Sequence, residues 1–106
     1  MKSKPLLILT TVGKKRDATR LAERLVSSKL AACVTILPAA ESRYVWKGKT
    51  CLEKEFVLLI KSLTRVYPKL EKFLKSIHPY ECPEIVALPL QRAYAPYLQW
   101  LNAGIK

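Results

Sequence analysis

Residues 32–62 read ACVTILPAAESRYVWKGKTCLEKEFVLLIKS, and this stretch decides the fold. Its two halves are rich in β-branched and aromatic residues. They flank Trp46-Lys47-Gly48-Lys49, where Gly48 supplies the left-handed dihedral of a tight turn. The pattern predicts a hairpin with one arm over 32–46, irregular near Pro38, and the other over 50–62. At roughly 3.3 Å per residue, an arm of about 13 residues spans about 43 Å. A compact domain of this length is about 33 Å across, from a radius of gyration near ~13 Å. The hairpin should therefore overhang its own domain. An isolated ribbon is marginal in water and its free edges invite pairing, so the overhang is expected to meet another subunit.

Outward from the hairpin, residues 5–12 form a continuous apolar run that suits a central strand covered on both faces. Ala18, Leu21, Ala22, Leu25, Val26 and Leu30 recur at helical period over 17–30, with Asp17 as the expected N-cap. Thr64 is the expected cap of a second helix, with Pro68 tolerated in its first turn and Val66, Leu70, Phe73, Leu74 and Ile77 on its apolar face. Pro79 and Pro83 stop that helix. Residues 85–90 read as a short strand that Pro89 confines to an edge or a strand end. Residues 94–103 read as a last helix anchored by Tyr97, Leu98, Trp100 and Leu101. The order β-α-β-β-α-β plus a C-terminal helix is a single α+β domain over 1–106. It is ferredoxin-like, with an antiparallel sheet, both main helices on one face and a long protruding central hairpin. The other sheet face needs a cover, which three copies can supply for one another.

The chain has 106 residues with a net charge of +11, which raises nucleic acid as a partner. The basic residues are scattered from Lys2 to Arg92 without a sustained block, and no RNA-binding aromatic motif or Gly-x-x-Gly clamp occurs. No specific nucleic-acid partner is expected. No apolar run approaches the roughly 18 residues of a membrane span, and the short N-terminal apolar stretch is no signal sequence, so a cytoplasmic protein without membrane contact is expected. The three cysteines, Cys33, Cys51 and Cys82, include no C-x-x-C pair and read as reduced thiols, with Cys33 a small buried hydrophobe.

Catalytic signatures are absent. There is no Gly-x-Ser-x-Gly, no P-loop, no Gly-rich nest after the first strand, and one histidine without a nucleophile to serve. The chain is not expected to be an enzyme and requires no cofactor. His78, Cys82 and Glu84, with Glu81 between them, place N, S and O donors within seven residues, a set that suits copper or zinc. Its spacing fits no closed site. A weak or intersubunit metal site stands beside the plainer alternative that His78 and Tyr80 brace a helix-to-strand corner by hydrogen bonds. Tyr44 and Trp46, two apart on one strand, share a face near the hairpin tip and are expected at a subunit contact.

Taken together, Lys29–Val34, Ser42–Lys49, Glu55 with Leu58–Lys61, His78–Ile85 and Tyr97-Leu98-x-Trp100-Leu101 closely resemble the CutA family in order and spacing over nearly the whole chain. The resemblance implies a ferredoxin-like subunit in a tight homotrimer shaped like PII signalling proteins, with a role in divalent metal tolerance and no catalysis. It marks Tyr44, Trp46, Lys61, Tyr80 and Trp100 as trimer-interface or cleft residues. Some members resemble copper binders through a cysteine late in the first strand and a His-His pair before Pro-Tyr. Here those positions are Thr10, Ile77 and His78, and only His78 retains a ligand. A PII-like adaptor that binds a small anion or nucleotide at subunit clefts is the alternative function.

Overall fold

The computed structural model describes residues 3–106. Strand β1 (Pro5–Val12) is followed by helix α1 (Lys15–Ser27), then β2 (Cys33–Trp46) and β3 (Lys49–Leu63). A 3-10 turn (Thr64–Val66) leads into α2 (Tyr67–Ile77), and β4 (Val86–Pro89) and α3 (Ala95–Ala103) complete the chain. The sheet order is β2-β3-β1-β4, with every neighbouring pair antiparallel. The expected element order is met.

Strand β1 alternates strictly. Leu6, Ile8, Thr10 and Val12 are buried while the residues between them are half-open. One face is thus sealed by α1 and α2 through Leu21, Leu25, Leu70 and Leu74, all fully buried. The expectation that β1 is covered on both faces is not met within one chain, because both main helices pack on the same side. On the other side Leu37 on β2 and Val86 and Leu88 on β4 are 45%, 46% and 50% exposed, apolar side chains on the two edge strands.

The hairpin is the longest feature. Strand β1 pairs with β3 only as far as Val12↔Phe56, so the seven pairs from Ala40↔Glu55 to Trp46↔Lys49 stand as a two-stranded ribbon beyond the sheet. The molecule is correspondingly elongated, 46 × 25 × 23 Å. The irregularity at Pro38 is a β-bulge. Between Leu37↔Val57 and Ala40↔Glu55, two residues of β2 oppose one of β3, and Ala39 takes a φ of 61°. The extra residue keeps Ala40, Ser42, Tyr44 and Trp46 on the face that Leu37 occupies before the bulge. At the tip, Lys47 (φ 51°) and Gly48 (φ 78°) both lie in the left-handed region, which is the type I′ geometry that matches strand twist.

Several local expectations are corrected. Helix α1 starts two residues before Asp17, with Lys14 at the cap position and no side-chain cap; Asp17 lies in the first turn and faces Arg20 at 3.5 Å. Thr64 does not cap α2, because its hydroxyl donates to the carbonyl of Lys4 at 2.9 Å and so ties β3 to the start of β1. Pro68 does sit in the first turn of α2. Of the four anchors expected in α3, Leu101 is buried and Leu98 packs against the core, whereas Tyr97 and Trp100 lie on the surface, stacked at 5.6 Å. Cys33 is only partly buried, beside Lys61 on the open sheet face.

Candidate functional site

Helix α2 ends at His78, whose backbone turns extended (φ −74°, ψ 137°) ahead of Pro79. The ring tucks inward and is 8% exposed. The backbone N–H of Tyr80 donates to Nδ1 at 3.1 Å, so the neutral ring carries its hydrogen on Nε2. That nitrogen meets Oγ1 of Thr10 on β1 at 2.9 Å. Both nitrogens are committed, and burial pushes the imidazole below its ordinary pKa. Asp17 opposes this shift, while Lys75 and Arg20 reinforce it. The chain of contacts continues outward. The Tyr80 hydroxyl donates to Oε2 of Glu55 at 2.6 Å, and Glu55 is 4% exposed. Burial, then the bond to Glu55, pushes the phenol pKa up.

Glu55 and Tyr80 form the inner wall of a cleft of about 880 Å³ between the hairpin and the 79–84 loop. Tyr44 and Trp46 line it from β2, and Glu53 from β3. Glu81 of the loop lies 3.7 Å from Nζ of Lys47 at the hairpin tip, so a solvent-exposed ion pair links the two sides. The same ammonium stands 5.7 Å from the centre of the Trp46 ring.

The sequence candidates separate into four places. Tyr44, Trp46, Tyr80, Cys82 and Glu84 come together around the cleft. Lys61 lies on the open sheet face, where Nζ reaches Oγ1 of Thr35 at 3.1 Å and Sγ of Cys33 at 3.8 Å. Trp100 is on α3. The metal set His78, Cys82 and Glu84 is not assembled. His78 faces the core and is not part of the cleft wall, and among the described residues no three His, Cys, Asp or Glu side chains converge as a metal group. The corner-bracing alternative for His78 is the geometry present. Glu55 is the cleft residue that sequence reasoning underrated. Its signal was an acid at the head of the apolar run Phe56–Ile60, where a strand turns inward.

A family model described as CutA1 divalent ion tolerance protein matches residues 6–104. Among curated relatives, the divalent-cation tolerance protein CutA of Pectobacterium atrosepticum is 43% identical over the full length of both chains. Among solved structures, CutA1 from the psychrotrophic bacterium Shewanella sp. SIB1 superposes with a TM-score of 0.92 at 42% identity, covering 99% of this chain and 98% of that one. The CutA of Archaeoglobus fulgidus, described as periplasmic, superposes with a TM-score of 0.92 at 31% identity, covering 96% of this chain and 99% of that one.

Proposed function

The chain belongs to the CutA1 family of divalent ion tolerance proteins, and from that premise we propose that it serves divalent-cation tolerance as a non-catalytic, PII-like homotrimer of ferredoxin-like subunits in the cytoplasm. The observation that carries this reading is the family match over residues 6–104. Assembly is supported by surface that a lone subunit leaves uncovered. Leu37, Val86 and Leu88 expose an apolar band on the open sheet face. Beyond Phe56 the hairpin has two free edges, since neither β2 nor the outer part of β3 has a further neighbour. Unpaired edges beside apolar surface are what obligate interfaces consume.

Any copper or other divalent ion bound through this chain's own donors is held weakly. His78 has no free nitrogen, and Cys82 and Glu84 alone fall short of the three or four donors a tight site needs. Tolerance therefore rests on assembly and partner contacts more than on sequestration. The nucleotide-binding alternative is not favoured, because Glu53, Glu55, Glu81 and Glu84 line the cleft, half of the eight acidic residues of the chain. No described helix is long and apolar enough to cross a membrane.

The test is complementation. A bacterial strain deleted for its own family member and challenged with graded copper, zinc and cobalt should regain growth on expression of this chain. Unchanged sensitivity to all three ions, with the protein present at normal abundance, would refute the reading.

A further inference from the structure

The cleft lacks the strong positive excess of the molecule. The chain carries 19 basic and 8 acidic residues, yet the cleft is lined by four carboxylates against three basic side chains, Lys14, Arg43 and Lys54. Arg43 is already turned to Glu41 at 3.4 Å. An anion would thus find less attraction in the cleft than the net charge of the chain suggests.

Glu55 gives the cleft a defined floor. Among the described residues its carboxylate receives one hydrogen bond, from Tyr80 to Oε2, and forms no ion pair. No fully enclosed side-chain oxygen lacks a partner among the described residues, so the second oxygen, Oε1, opens on the cleft. Glu55 as a residue is 4% exposed, and its carboxylate has one oxygen fixed by Tyr80 and the other free to take a cationic donor from the cleft. The walls above it are the rings of Tyr44 and Trp46. Lys47 shows on the same rim how such a group is received, its ammonium lying between the Trp46 ring and the Glu81 carboxylate.

We propose that the cleft between the hairpin and the 79–84 loop binds a small organic cation, with a primary ammonium or guanidinium group on Oε1 of Glu55 and an apolar stem against Tyr44 and Trp46. A metal ion does not fit the same role. Carboxylates line the cleft without any three converging, and one oxygen of the deepest is committed to Tyr80. A linear diamine or an aminoalkylguanidine carries a second charge for Glu53, which lines the same cleft and has no ion pair among the described residues, whereas Glu81 is taken by Lys47.

The experiment is calorimetric titration of the protein in its native assembly with putrescine and agmatine, beside 1,4-butanediol and succinate as neutral and anionic probes of the same length. Expected are saturable binding of the two amines, none of the diol or diacid, and a loss of at least tenfold in amine affinity in Glu55→Gln. That substitution keeps the shape and an acceptor for Tyr80. Salt should weaken the binding. Absence of amine binding at millimolar concentration, equal binding of succinate, or undiminished affinity in Glu55→Gln would each overturn the proposal. The wild-type probe series decides the matter alone if the variant does not fold.

Discussion

Oγ1 of Thr10 and Nε2 of His78 lie 2.9 Å apart across 68 residues of chain, joining the buried face of β1 to the end of α2. The CutA resemblance marks these same two positions as ligand positions in copper-binding members. The positions meet in space, but in this chain a hydroxyl occupies the nitrogen that would face a metal. The opposite nitrogen accepts from Tyr80, so the ring acts as a two-sided clamp that sets where the 79–84 loop leaves the helix.

The clamp makes stability depend on pH. Protonation of Nδ1 would set two N–H groups against each other at Tyr80. Burial disfavours the charged ring first of all, so the folded state takes up the proton less readily than the unfolded chain, whose histidine titrates near 6.5. The contribution of His78 to stability is present above pH 6.5 and is lost as pH falls toward the lowered folded value. Thermal melts between pH 7.5 and 5 should show a falling midpoint for the wild type and a flatter profile for His78→Gln.

Metal titration separates the clamp from a ligand. His78→Ala should leave copper and zinc affinities within about twofold of wild type, because the wild-type ring offers no lone pair. The same variant should lose stability, by roughly 1–3 kcal/mol, for the unsatisfied partners it leaves behind. Calorimetry with thiols kept reduced reads both ions. A drop in affinity of more than tenfold would show that the ring swings out to bind.

At the hairpin tip, Lys47 holds a φ of 51° in a turn that favours Asn or Gly at that position. Lys47→Asn should stabilise the protein by about 0.5–1 kcal/mol in urea unfolding. The lost pair with Glu81 offsets little, since both side chains are 72% exposed. A lower unfolding midpoint would mean that the ion pair across the cleft outweighs backbone strain.

Much of this molecule was legible in the sequence because period and punctuation agree. Gly48 and the apolar runs of β1 and β3 fix the hairpin and its overhang, and Pro89 does end an edge strand. Caps were less legible. Asp17 and Thr64 have the right chemistry, but α1 begins ahead of Asp17, whose carboxylate meets Arg20 one turn on, and the Thr64 hydroxyl donates to the distant carbonyl of Lys4. The cleft was legible only in part. Sequence proximity groups His78 with Cys82 and Glu84, whereas the corner at Pro79 turns the imidazole inward and leaves the other two on the surface. Glu55 belongs with Tyr80 through a contact spanning 25 residues, which no local pattern reports.

Trp46 tests the proposed assembly. It sits on the last pair of the ribbon, opposite Lys49, and is 42% exposed in the single subunit. A large ring at the end of an otherwise unsupported two-stranded ribbon gains most of its burial from a neighbouring copy. Trp46→Ala should weaken assembly by roughly 3–5 kcal/mol if the ring is fully buried there. Light scattering on a dilution series should then show the variant dissociating at concentrations where wild type remains trimeric, with a melting midpoint that rises with protein concentration. Leu52→Ala, 52% exposed near the tip of the other arm, serves as a comparison for the loss of apolar surface alone. A Trp46→Ala protein that stays trimeric throughout, with an unchanged melt, would show that the ring does not carry the contact between subunits.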